Sequence, residues 1–321
     1  MFNLKYYLRR ARTIGFLDSL KKIAGYEEIF TCAFRKRGET IFHHLPYSGS
    51  YWYADPILME ADHIHYVFME VFDRKRQKGL IGYSTLDGGC MSSPRIVLEE
   101  NWHLSFPMIF SYHDTFYMIP ESSEINCLCL YRCTSFPDHW ELCAKFPTDH
   151  PLVDTIEWDR DGDRIRLLSC ANPKDAPLTC KWVQYDLSET DGNWTLNPVP
   201  SYNSETVYDY CSRNAGPLCT GNSQEFIHPV QCSTPRTYGK ELYLYRYDKD
   251  LKEPRKETLL QRLSVQDYCI PSLKHQKLYG THTYGADSQY EIVDVKLYSW
   301  QPLKWFYRMT AGRKKKTSAD A

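Results

Sequence analysis

Short apolar stretches recur along the chain with polar turns between them, a spacing typical of β-strands rather than of helices. Four segments share one layout: an apolar strand, a polar turn, a second apolar strand, and a third strand that contains a tyrosine. The first strands begin near Asp55, Phe106, Asp154 and Ala215. The tyrosines of the third strands are Tyr83, Tyr131, Tyr185 and Tyr245, which lie 48, 54 and 60 residues apart.

A repeat of about 50 residues with about four strands predicts a β-propeller, because each small sheet buries its faces only against neighbouring sheets. Residues 279–283 and 290–294 form a shorter fifth unit, and residues 29–35 would supply its missing outer strand and close the ring. We therefore predict an all-β fold, a five-bladed β-propeller over residues 29–300. A basic amphipathic segment with a short helix (residues 1–28) precedes it, and a basic tail (residues 301–321) follows.

The composition is that of a globular protein, with 42% hydrophobic and 25% charged residues, and 15% aromatic residues favour β-structure. The 12 cysteines include no Cys-x-x-Cys motif, so neither a zinc site nor a disulfide framework is indicated. We expect reduced thiols in a cytosolic protein. No apolar run is long enough to span a bilayer, and the N-terminus lacks the apolar core of a signal peptide. A cytoplasmic location is therefore expected.

The net charge of −1 is unevenly distributed. Residues 1–25 and residues 301–321 each carry +5, which leaves −11 on residues 26–300. This negatively charged body argues against a nucleic-acid partner. The basic ends suit an anionic membrane surface, and residues 1–25 are compatible with an interfacial amphipathic helix at the inner membrane surface. The alternative is a terminal helix that packs on the body and a disordered tail.

Antiparallel pairing within a blade brings the start of the first strand and the end of the second strand to the same face of the disc. Fifteen residues separate Asp55 from Glu70 and Phe106 from Glu121, so the repeats share one register. We predict that one mouth of the central channel collects a set of polar residues: Asp55, Glu70, His103, Glu121, Asp154, Arg213, Gln231 and His282.

Several carboxylates in one confined mouth perturb each other's pKa, and such pairs act as acid and base at glycosidic bonds. Asp55, Glu121 and Asp154 are the candidate catalytic residues; the alternative is that they cap turns at the strand ends. Arg213 could bind a carboxylate or phosphate through two parallel hydrogen bonds, or form a salt bridge with one of these acids. No cofactor and no metal-binding motif are predicted, and whether an ion occupies the channel is left open.

An ordered set of short motifs across residues 29–296 resembles the propeller domain found N-terminal in plant glucosamine inositolphosphorylceramide transferases. The motifs are WYADP (52–56), HLSFP (103–107), MIPES (118–122), FPDHWE (136–141), VDT (153–155), RNAG (213–216) and THT (281–283). Similar bacterial domains resemble the five-bladed propellers of arabinanases and invertases. The resemblance implies a five-bladed propeller and carbohydrate chemistry. In the hydrolases an ion is sometimes held near the position that His282 resembles.

The resemblance also implies roles for individual residues. The hydrolase clans use three carboxylates on inner strands of separate blades, and Asp55 and Asp154 match two of these positions. The fourth blade, which would offer the general acid, has Arg213 instead, and Glu121 lies in the second blade on a different strand. Because the loss of a positioned proton donor costs a hydrolase on the order of 10²–10⁴-fold, this departure favours transfer or binding over hydrolysis.

The leading hypothesis is a carbohydrate-active enzyme associated with glycosyl transfer, which acts in cell-surface glycan, polysaccharide or glycolipid assembly at the cytosolic membrane face. Asp55 would be base or nucleophile, Asp154 would orient it or tune its pKa, and Glu121 would be acid/base. Substrate would be bound by Glu70, His103, Arg213, Gln231 and His282. The alternatives are a glycoside hydrolase of the arabinanase or invertase type and a non-catalytic glycan-binding module. The plant enzymes carry a separate glycosyltransferase domain, so a partner glycosyltransferase is a further expectation.

Overall fold

The computed structural model describes residues 24–172, 178–203, 208–220, 226–235, 237–247 and 258–301. Their strands form five antiparallel sheets, the blades of a five-bladed propeller, which confirms the predicted fold. The predicted basic helix and basic tail fall on residues 1–23 and 302–321, outside the described residues. The predicted domain boundaries therefore stay a prediction.

The strands follow one another in chain order around the ring. The first two are β1 (Tyr26–Lys36) and β2 (His43–His44). Blade one contains β3 (Tyr51–Ala61), β4 (Ile64–Asp73), β5 (Lys78–Asp87), β6 (Cys90–Met91) and β7 (Arg95–Leu98). Blade two contains β8 (Ser105–Tyr112), β9 (Thr115–Glu121), β10 (Cys127–Ser135) and β11 (His139–Pro147).

Blade three contains β12 (Leu152–Asp161), β13 (Arg164–Ala171), β14 (Lys181–Thr190) and β15 (Asn193–Pro198). Blade four contains β16 (Arg213–Asn214), β17 (Cys219–Thr220), β18 (Phe226–Thr234), β19 (Thr237–Arg246) and β20 (Thr258–Leu263). Blade five contains β21 (Leu278–Gly280), β22 (Tyr284–Ala286) and β23 (Tyr290–Trp300), together with β1 and β2. Single helical turns lie at Ser123–Ile125, Pro200–Asn203, Val265–Asp267 and Pro271–Leu273.

Blade five is built from both ends of the described chain. β1 pairs with β23 over its whole length, from Tyr26 opposite Trp300 to Lys36 opposite Tyr290. β2 pairs with the other edge of β1, so the predicted closing strand takes the third position and the short β2 is outermost.

Apolar side chains are buried between neighbouring blades, as the repeat predicts. One cluster joins Phe68 and Ile81 of blade one to Met118 and Tyr131 of blade two. The next joins blades two and three through residues such as Leu130 and Leu167. The four tyrosines that marked the third strands in the sequence lie on β5, β10, β14 and β19, which are the third strands of their blades.

Two of the cysteines correct the expectation that every cysteine is a free thiol. Cys211 and Cys232 form a disulfide, and their Cα atoms lie 4.0 Å apart. The antiparallel register that places Arg213 opposite Gln231 brings these two residues side by side. Their separation of 21 positions in sequence conceals this contact, and the other ten cysteines are free. Within the described ranges, no helix has the length and hydrophobicity needed to cross a bilayer.

Candidate active site at the channel mouth

The inner strands carry a strained residue at the same point in three blades. Asp55, Phe106 and Asp154 have φ values of 51°, 42° and 48°, which side chains other than glycine rarely adopt. Each lies where the register with the second strand shifts by a bulge. A bulge redirects a side chain from the regular alternation, and such strain clusters at functional sites. Gly216, the equivalent residue of blade four, has φ 142°.

A cavity of about 230 Å³ opens at the mouth where these bulges lie. Its lining comprises Phe30, Trp52, Asp55, Glu70, His103, Ser105, Glu121, Arg213, Tyr238 and His282. Six of the eight site residues expected from the sequence are in this lining. Of the other two, Asp154 contacts Arg213, and Gln231 is buried and donates a hydrogen bond from Nε2 to Ser233 Oγ at 3.0 Å.

Arg213 forms a buried ion pair with Asp154. The guanidinium Nη2 donates to Asp154 Oδ1 at 2.9 Å, and Nε donates to the other oxygen of the same carboxylate. Nη2 also lies 3.6 Å from Glu121 Oε2, and the guanidinium carbon lies 5.1 Å from the centre of the Tyr238 ring. Of the two alternatives for Arg213, the salt bridge to a mouth acid is therefore the one that forms, and it uses two of the guanidinium donors.

Asp55 is held by donors from two other blades. Its Oδ2 accepts the backbone N–H of Phe106 at 3.2 Å, and its Oδ1 accepts the Thr283 hydroxyl at 3.1 Å. Burial raises the pKa of Asp55 to about 6; nearby His282 lowers it, while Asp294 and Asp154 raise it further. Asp55 is therefore an acid that changes charge close to neutral pH.

His282 lies between two carboxylates. Its Nε2 lies 3.5 Å from Asp55 Oδ1, and its Nδ1 is in contact with Asp294 Oδ2. Burial lowers the pKa of His282, but Asp294 and then Asp55 outweigh burial, so the net shift is upward. Asp294 also accepts the backbone N–H groups of His282 and Thr283, at 2.9 and 3.1 Å.

Asp55, His282 and Asp294 are the side chains that could hold a metal ion here, since their ligand atoms all lie within 4.8 Å of one another. Two carboxylates and an imidazole form a plausible donor set for a divalent cation. When His282 is protonated, it forms ion pairs with both carboxylates. A cation would therefore have to replace the imidazole proton.

Glu70 and Glu121 complete the acidic lining in two different environments. Burial raises the pKa of Glu121 to about 7; Asp154 adds to the shift, whereas Arg213 and the Ser123 hydroxyl, 2.8 Å from Oε1, oppose it. Burial raises the pKa of Glu70 well above its usual value, with Asp55 and Glu121 as the next largest causes. The nitrogen Nε2 of His103 lies 3.3 Å from Glu70 Oε1.

Aromatic rings form the rest of the wall. Phe30 stacks on the imidazole of His282 with ring centres 4.3 Å apart, and Tyr238 meets the same imidazole edge to face at 5.3 Å. Trp52 stacks on Phe72, and its buried Nε1 has no hydrogen-bond partner among the described residues. An unsatisfied indole N–H beside a cavity is a ready donor for a ligand oxygen.

Sequence reasoning missed Asp294, Tyr238 and Phe30. Asp294 lies in the middle of β23, the second strand of blade five. The count of fifteen residues fails in this blade because its inner strand is interrupted, and Asp294 follows His282 by only 12 residues.

The fold and the mouth define a five-bladed β-propeller with buried carboxylates around a small cavity. The chain belongs to the family described as glucosamine inositolphosphorylceramide transferase 1, N-terminal, whose profile matches residues 29–267, which confirms the expected resemblance. It is 32% identical over 222 residues to glucosamine inositolphosphorylceramide transferase 1 of Oryza sativa subsp. indica, a match covering 66% of this chain and 29% of that protein. The Arabidopsis thaliana protein of the same name is 42% identical over 111 residues, 34% of this chain and 14% of that protein.

Among solved structures, the catalytic domain of the GH62 α-L-arabinofuranosidase of Coprinopsis cinerea has a TM-score of 0.48 at 11% identity. That match covers 83% of this chain and 97% of the other. The exo-β-1,3-galactanase of Phanerochaete chrysosporium has a TM-score of 0.45 at 14% identity, covering 68% and 51% of the two chains. The chain spans less than a third of the length of its rice relative.

Proposed function

We propose that this propeller is a carbohydrate-active enzyme that transfers a sugar in the assembly of a cell-surface glycan or glycolipid. The observation that carries the proposal is the pair of buried acids, Asp55 and Glu121, whose pKa values are raised to about 6 and about 7 in one cavity. Acids that exchange protons near neutral pH suit acid–base work at a glycosidic bond. Membership in a family whose relatives are named as transferases supports transfer over hydrolysis.

Asp55 is the proposed base or nucleophile. It is ionised above about pH 6, and the donors from Phe106 and Thr283 fix its orientation. Asp154 contributes indirectly, because its charge raises the pKa of Asp55 and its carboxylate fixes Arg213. Glu121, beside that guanidinium, is the proposed acid/base.

The size of the cavity limits the bound portion of the substrate. At about 230 Å³ it lies below the roughly 300–1,000 Å³ of pockets that enclose drug-sized ligands. We expect a single sugar ring to enter, with Phe30, Trp52 and Tyr238 as its apolar contacts. The rest of the donor or acceptor would lie outside the mouth.

A thermal-shift screen against nucleotide sugars and free oligosaccharides tests the proposal, because a ligand that binds the folded state stabilises it by RT ln(1 + [L]/Kd). Stabilisation by a nucleotide sugar supports transfer and identifies the donor. Asp55→Asn should then abolish turnover of that donor, whereas exposed Glu141→Gln should leave it unchanged. Full activity in Asp55→Asn would rule out the proposed role of Asp55.

A glycosidase or a glycan-binding module is the second candidate, favoured by stabilisation with free glycans alone. Hydrolysis of an aryl arabinofuranoside by the purified protein would identify the glycosidase. Binding without turnover, and only a modest loss of binding in Asp55→Asn, would identify the binding module.

Membrane association is a further part of the proposal. The two basic segments each carry +5, and Tyr26 pairs with Trp300, so the chain enters and leaves blade five at the same end. Liposome co-sedimentation with phosphatidylserine vesicles tests this, and binding unchanged by deletion of residues 1–23 and by high salt contradicts it. The cytosolic location stays a prediction, and the Cys211–Cys232 disulfide would be unusual there.

A further inference from the structure

We propose that Glu70, held against His103, is the general acid that protonates the leaving group. This inference rests on the proposed sugar transfer, and within that reaction it moves the donation of the leaving-group proton from Glu121 to Glu70. Glu70 lines the cavity with its side chain only 7% exposed, and its Oε1 is fully buried and accepts no well-formed hydrogen bond among the described residues.

The other acids of the lining are less suited to this role. Glu121 lies 3.6 Å from the Arg213 guanidinium and accepts the Ser123 hydroxyl at 2.8 Å, and both contacts favour its ionised form. Asp55 accepts two hydrogen bonds and faces the imidazole of His282. On blade four, the guanidinium of Arg213 is paired with Asp154 and is not a carboxylic acid.

The tautomer of His103 distinguishes its pairing with Glu70 from an ordinary ion pair. The backbone N–H of Gly79 donates to His103 Nδ1 at 3.0 Å, so Nδ1 carries a lone pair. The single ring proton then lies on Nε2, which faces Glu70 Oε1 at 3.3 Å. His103 lies against Oε1 as a neutral imidazole, so it does not supply the positive charge that would favour ionisation of Glu70.

Gly79 allows Glu70 and His103 to lie this close together. A Cβ atom at this position would lie 2.6 Å from Glu70 Oε1, 2.8 Å from His103 Cε1 and 2.2 Å from the Leu104 carbonyl oxygen. Real Cβ contacts are not this short, so a side chain here would force Glu70 and His103 apart. The glycine therefore serves the close packing of the pair.

The ionisable groups around Glu70 also favour its protonated form. The ionisable groups that raise the pKa of Glu70 besides burial come from three blades: Asp55 on β3, Glu121 on β9 and Asp294 on β23. The Cys32 thiol on β1 is also close enough for Glu70 to raise its pKa. These neighbours are neutral or negative, so together with burial they favour the protonated form of Glu70.

The proposed transfer moves one proton to the leaving group and removes one from the acceptor. The Glu70 carboxyl proton moves to the leaving-group oxygen as the bond between that oxygen and the sugar C1 breaks, and the leaving group keeps the bonding electron pair. Asp55 removes the proton from the acceptor hydroxyl, whose oxygen forms the new bond to C1. Glu70 ends as a carboxylate and Asp55 as an acid, and proton exchange with solvent restores both.

Kinetics with two donors of the same sugar, one with a nitrophenyl leaving group and one with a poor leaving group, test the role. Glu70→Gln should lose about 10²–10⁴-fold in kcat with the poor leaving group and much less with the nitrophenyl donor. Equal losses with both donors would overturn the inference. Glu141→Gln is the matched control on an exposed strand.

A second measurement does not depend on turnover. In protein labelled with ¹³C at the glutamate carboxyl carbons, Glu70→Gln identifies the Glu70 resonance, which should report a protonated carboxyl at pH 7. A carboxylate resonance at pH 7 would overturn the inference even if the enzyme is active. A wild-type chain that turns over neither donor contradicts the proposed function, and with it this role, whatever the resonance shows.

Discussion

Removal of the Arg213 side chain should destabilise the propeller because the ion pair lies in a buried part of the mouth. Arg213 is 8% exposed and Asp154 5%, and the guanidinium also faces Glu121 at 3.6 Å. Arg213→Met would keep most of the apolar stem but leave two buried carboxylates without their cation. Breaking a buried pair in this way costs about 3–5 kcal/mol. In a chain of 321 residues, that corresponds to a fall in Tm of roughly 4–8 °C.

The measurement is urea unfolding at pH 7.5, followed by tryptophan fluorescence, on the parent, Arg213→Met, Asp154→Asn and the double variant. Because Asp154→Asn removes one of the stranded charges, the double variant should recover at least about 1–2 kcal/mol relative to the sum of the single losses. Additive losses, or a loss below about 1 kcal/mol in Arg213→Met, would refute the view that Arg213 mainly neutralises these acids.

Three further predictions concern other parts of the molecule. Since burial raises the pKa of Glu121 to about 7 from 4.5, the fold gains stability from its protonated form below pH 4.5 and loses that gain as the pH rises through 7. Glu121→Gln should therefore be more stable than the parent at pH 8.5, by up to about 3 kcal/mol, and the difference should vanish near pH 4.5; a variant less stable at both pH values contradicts this. Gly216→Ala should lower Tm measurably by differential scanning calorimetry, because φ is 142° and a Cβ atom would lie 2.2 Å from the Tyr284 carbonyl oxygen; an unchanged Tm would show that the strand can shift. Alkylation of the denatured, unreduced protein should label ten cysteines and spare Cys211 and Cys232, as read by peptide mass spectrometry; twelve labelled cysteines would contradict the disulfide.

The repeat was the part of the structure that sequence could predict well. The landmarks Asp55, Phe106 and Asp154 all proved to be bulged residues of inner strands. In each of these blades the bulge lies at nearly the same distance from the turn that follows it, so the sequence repeat marks its position. Counting fifteen residues onward from Asp55 and from Phe106 then located Glu70 and Glu121, the mouth residues of blades one and two.

Pairing across blades was harder to predict. Whether Arg213 contacts Asp154 or a ligand depends on distances between separate sheets, and Asp294 belongs to the blade whose inner strand departs from the repeat. Cys211 lies just before a two-residue strand, so no strand pattern pointed to its partner. These contacts arise from the closed ring and not from any local pattern.

The pairing of β1 with β23 has a consequence for synthesis on the ribosome. The first strand emerges early, but its partner from Tyr290 to Trp300 follows more than 250 residues later. Until then both long edges of β1, with the apolar residues Ile29, Cys32 and Phe34, have no neighbour in blade five except the two residues of β2. An unpaired apolar strand invites pairing with other chains, and contacts so distant in sequence form slowly. Nascent chains arrested before residue 290 should therefore depend on chaperones far more than chains that have released Trp300.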